Sequence, residues 1–78
     1  DLDMAVLGAA PAAYDRYAAG VAREFVPVVG EAAYRRGRAG FLRDALRAGT
    51  PLFHTDAARG LLEERARANL RRELRGLE

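Results

Sequence analysis

Cysteine, lysine and tryptophan are absent from this chain, and histidine and methionine occur once each. Without cysteine there is no disulfide and no thiolate zinc site, and the redox compartment stays open. A lone histidine, His54, cannot build a two-histidine metal site or a conventional triad by itself. It reads most simply as a packing or hydrogen-bonding residue. No apolar run approaches the roughly 18 residues of a membrane span, so no membrane partner is expected. No glycine-rich phosphate loop and no nucleophile elbow is present.

With lysine absent, all 13 basic residues are arginine, set against 11 acidic ones for a net charge of +2. Together with abundant alanine, this reads as the composition of a high-GC genome rather than a nucleic-acid signature. The charges form a solvated surface. At 78 residues the chain is one domain or part of one. A domain this small buries only about 60% of the surface its unfolded chain exposes, so a further segment or a partner would help it.

Glycine and proline punctuate the chain into helices. Gly8 suits a helix C′ position and Pro11 the first turn of the next helix. Tyr14, Tyr17, Ala18, Val21, Ala22 and Phe25 recur at helical spacing and predict a helix over 11–25, with Gly20 a weak point. Pro27 and Gly30 then break the pattern, and "EFVPVVG" reads as an extended connector.

A helix over 31–48 follows, with Tyr34, Phe41, Leu42, Ala45 and Leu46 on its apolar positions. Glu31 favours the positive end of its dipole, and Gly49 and Pro51 close it. The last helix starts at Thr55 or Asp56 and runs to about 75. Leu62, Ala66, Leu70, Leu74 and Leu77 form its apolar stripe, and Glu63 pairs with Arg67 on the outside. Asn69 flanks the stripe, placed to satisfy a neighbouring backbone group. The fold class is all-α: a helix stub and three helices packed as a small bundle, with no sheet.

Two residues carry the sharpest chemical hint. Asp1 and Asp3 open the chain in "DLDMAVLG", directly before an apolar run. At about 100° per residue, positions two apart point some 200° apart on a helix. Asp3 shares a face with Val6 and Leu7, whereas Asp1 shares one with Met4 and Ala5. Asp3 is therefore the carboxylate aimed at the interior, where it needs a partner or a metal. The alternative is a helix-start aspartate that only caps. Arg67, Arg71 and Arg75 form a stripe on the last helix, but no aromatic there could stack on bases, and Glu63, Glu64 and Glu73 dilute the field. Nucleic acid is not an expected partner. Tyr14, Tyr17 and Tyr34 read as core residues whose hydroxyls reach an edge.

In order along the chain, "DLDMAVLGAAPAAYDRYAAGVAREF", "YRRGRAGFLRDAL", "PLFHT" and "ARANLRREL" resemble the C-terminal part of a bacterial family of predicted metal-dependent phosphohydrolases of the HD superfamily. "EFVPVVGEAAY" fits least well, since the family usually has a more polar turn there. The resemblance implies a segment of a larger HD-type helical domain and a cytoplasmic location. It implies a divalent metal held by a His, a His-Asp pair and a later Asp, matched here by Asp3, with Asp1 as the fallback. The upstream ligands are not in this chain, so the segment alone is expected to be inactive. The implied partners are the preceding part of the same protein or a homo-oligomer mate, and a phosphorylated small molecule or nucleotide as substrate. In the intact protein the metal would activate a water and polarise a phosphoryl oxygen.

Overall fold

The computed structural model describes residues 4–47 and 56–78, with side chains over 6–47 and 62–78. A stub, α1 (Met4–Leu7), leads into three long helices: α2 (Pro11–Val29), α3 (Glu31–Ala45) and α4 (Asp56–Leu77). The class is all-α, and no strand occurs among the described residues. Pro11 opens α2, where its missing N–H would have had no intrahelical partner anyway. Glu31 stands in the first turn of α3 and Arg43 in its last, both favourable to the helix dipole.

The connector expected at "EFVPVVG" is instead helical, and α2 continues through Pro27 to Val29. Proline removes one N–H bond, here to the carbonyl of Arg23. Both residues are exposed and lie within two turns of the helix end, so water can satisfy that carbonyl. The break falls at Gly30, the only residue between α2 and α3. Its φ of 90° and ψ of 152° lie in a region essentially reserved for glycine. The Gly30 N–H donates to the Val26 carbonyl at 2.8 Å, and the Gly30 carbonyl accepts from the Tyr34 N–H at 2.9 Å. One glycine thus closes one helix and opens the next. Helix α3 stops at Ala45, short of the expected Ala48, as the Leu46 and Arg47 N–H groups turn back to the carbonyls of Leu42 and Asp44.

Gly8 directly follows α1, at the helix end expected of it, but without the positive φ common at such ends: Gly30 is the one glycine with positive φ among the described residues. A Cβ on Gly8 would stand 2.9 Å from Leu62 Cβ, closer than real contacts allow. Its bare backbone is what lets the end of α1 lie directly on α4.

Leu7, Tyr14, Leu42, Ala66 and Leu70 form the core, one or two from each helix. Val6, Tyr17, Ala18, Ala45, Leu46, Leu62, Leu74 and Leu77 pack around it. The stripe expected on α4 is the face that enters this core. Helices α3 and α4 run antiparallel: Arg35 meets the carbonyl of Leu77, Arg38 meets Glu73, and Arg67 meets the carbonyl of Leu46.

Candidate functional site

Charged side chains on otherwise apolar faces mark the places where a helical bundle must do something other than pack. On α4, Glu73 follows Ala66 by seven residues and so shares its buried face. On α3, Arg38 precedes Leu42 by four residues and Ala45 by seven. The two side chains meet in the bundle at 11% and 9% exposure. Arg38 Nε donates to Glu73 Oε2 at 2.6 Å and its Nη2 donates to Oε1 at 3.0 Å. The buried Tyr14 hydroxyl of α2 donates to the same Oε1. One carboxylate therefore ties three helices together.

Burial, then the hydrogen bond from its hydroxyl to Glu73, pushes the Tyr14 phenol well above its ordinary value. Burial pulls the Arg38 guanidinium down, but the hydrogen bond and charge of Glu73 more than offset it, and the net shift is upward. The tyrosine stays neutral and the arginine charged, and each donates. The Arg38 guanidinium also lies 5.8 Å from the Tyr17 ring centre and 5.2 Å from that of Phe41, within cation–π range. Phe41, expected among the apolar positions of α3, is 45% exposed and lies under this guanidinium.

A second polar cluster holds α1. Asn69, 1% exposed, donates through Nδ2 to the carbonyls of Leu7 at 2.8 Å and Ala9 at 3.0 Å. Its Oδ1 accepts from Arg72 at 2.7 Å, and Arg72 also donates to Asp15 at 2.9 Å. The expectation that Asn69 serves a neighbouring backbone group is met twice over. No buried side-chain polar atom among the described residues lacks a partner. Both clusters are thus closed structural clamps.

Asp3, the expected metal ligand, and Asp1, its fallback, lie outside the described residues, as does His54. Further along the same segment, Leu7 is buried and Val6 packs on the core. Among the described residues no group of three or more His, Cys, Asp or Glu could hold a metal ion. The expected arginine stripe divides. Arg67 is taken up by Glu63 at 2.9 Å and the carbonyl of Leu46, whereas Arg71 and Arg75 are exposed.

Comparison with family models, curated proteins and solved structures found no match. No helix among the described residues is long and apolar enough to cross a membrane.

The open feature is the corner where α2 turns into α3. The inward stripe of α2 runs through Tyr14, Ala18, Val21 and Phe25 at steps of four, three and four. Tyr14 is fully buried, but Phe25 is 51% exposed. Val28 and Val29 continue the apolar surface at 77% and 50% exposure. Beside them lies a cleft of about 130 Å³ between Ala22 and Val26 of α2, Glu31, Tyr34 and Arg35 of α3, and Leu77 of α4. Sequence spacing flagged Phe25 as an interior position. It could not show that the bundle ends before the stripe does.

Proposed function

We propose that this chain is a helical interaction module whose binding face is the α2–α3 corner, and that its partner is another helical surface. The observation that carries this reading is the run from a fully buried Tyr14 to a half-exposed Phe25 and a largely exposed Val28 along one helix. Apolar surface that continues a core stripe and then meets water is what an incomplete helical layer presents. A ridge of Phe25, Val28 and Val29 beside an apolar cleft suits ridge-into-groove packing by a further helix. At the corner itself, Arg35 donates to the carbonyls of Gly76 and Leu77 and ties the start of α3 to the end of α4. In the cell that makes the protein, a photo-cross-linking residue at position 28 should give one discrete adduct, lost on Phe25→Ser, and a probe at position 71 should give none. Equal labelling from both positions overturns the reading.

A second reading keeps the chain as the C-terminal helical part of a metal-dependent HD-superfamily phosphohydrolase. What favours it is the inward face of α1, where Val6 and Leu7 pack, since Asp3 precedes them by three and four residues. Asp3 would then supply one carboxylate to a divalent metal whose other ligands lie upstream, in a cytoplasmic enzyme acting on a phosphorylated substrate. In the complete protein, Asp3→Ala should lower metal content and phosphatase turnover together, with Asp1→Ala doing much less. If neither substitution matters, this second reading falls and the interaction module is unaffected.

A further inference from the structure

We draw no further inference here: the strongest candidate, the exposed apolar corner of Phe25, Val28 and Val29 where α2 turns into α3, is the face already proposed for binding, and nothing in the structure shows what covers it.

Discussion

Arg38 and Glu73 meet in the interior of the bundle through two hydrogen bonds, at 2.6 and 3.0 Å, across the antiparallel helices α3 and α4. Tyr14 reaches the same carboxylate from α2. Removing one member of a buried pair is costlier than the pair is favourable, because the other charge is left unmatched. Glu73→Ala should therefore destabilise the fold by about 3–5 kcal/mol. Tyr14→Phe, which loses one hydrogen bond and keeps the ring, should cost about 1–2 kcal/mol. Urea titrations of the single variants and the Tyr14→Phe/Glu73→Ala double variant check this. The double should be less destabilised than the sum, since both act on one carboxylate.

The raised phenol of Tyr14 links stability to alkaline pH. A group whose folded pKa lies above its unfolded value contributes fully below the unfolded value and loses that contribution as pH rises past it. For tyrosine that point is about pH 10. Stability should hold steady up to that pH and then fall, as the unfolded chain ionises while the folded tyrosine resists. Tyr34, raised mainly by its own burial, adds in the same direction. Denaturant titrations from about pH 8 to about pH 11 should show a shallower alkaline loss in Tyr14→Phe than in the wild type.

Gly30 is the single-residue joint between α2 and α3. Its φ of 90° with ψ of 152° strains any side-chain-bearing residue, although no atom lies within 4 Å of where a Cβ would stand. Gly30→Ala should therefore cost about 1–3 kcal/mol through the backbone alone. In a chain this size each kcal/mol moves the melting temperature by about 4–8 °C. Thermal circular dichroism checks this, with Gly37→Ala as control. That site is mid-helix and open, so alanine should leave the melting temperature unchanged or raise it.

Asn69 holds the turn after α1 by donating to two carbonyls. Asn69→Ala leaves both without their donor and should cost about 1–3 kcal/mol. The loss should be local first: amide exchange should quicken around Leu7–Ala10 before it does in α3.

The helices were legible because periodicity and glycine or proline punctuation agree. The α4 stripe, Pro11 at a helix start and Asp56 at another all follow from spacing. Pro27 misled because its effect depends on whether the freed carbonyl can reach water, and that is a property of the finished surface. The Glu73 clamp was readable in principle, since a glutamate seven residues after Ala66 is a carboxylate on an apolar face. The reasoning that singled out Asp3 applies to it unchanged. Its partners were not readable, because Arg38 and Tyr14 lie 35 and 59 residues away and only the bundle brings them together. The open corner was hidden for the same reason. Spacing says which side of a helix faces inward, and only the packed bundle says how far the cover extends.

Fluorine NMR of the chain carrying fluorinated phenylalanine tests the binding face most directly, because Phe25 and Phe41 are exposed to similar extents, 51% and 45%, on different surfaces. In extract of the producing cell the Phe25 resonance should move and lose its sensitivity to replacement of H₂O by D₂O. The Phe41 resonance should stay put beneath its arginine. A Phe25 signal that remains as solvent-sensitive in that extract as that of Phe41 would contradict the account.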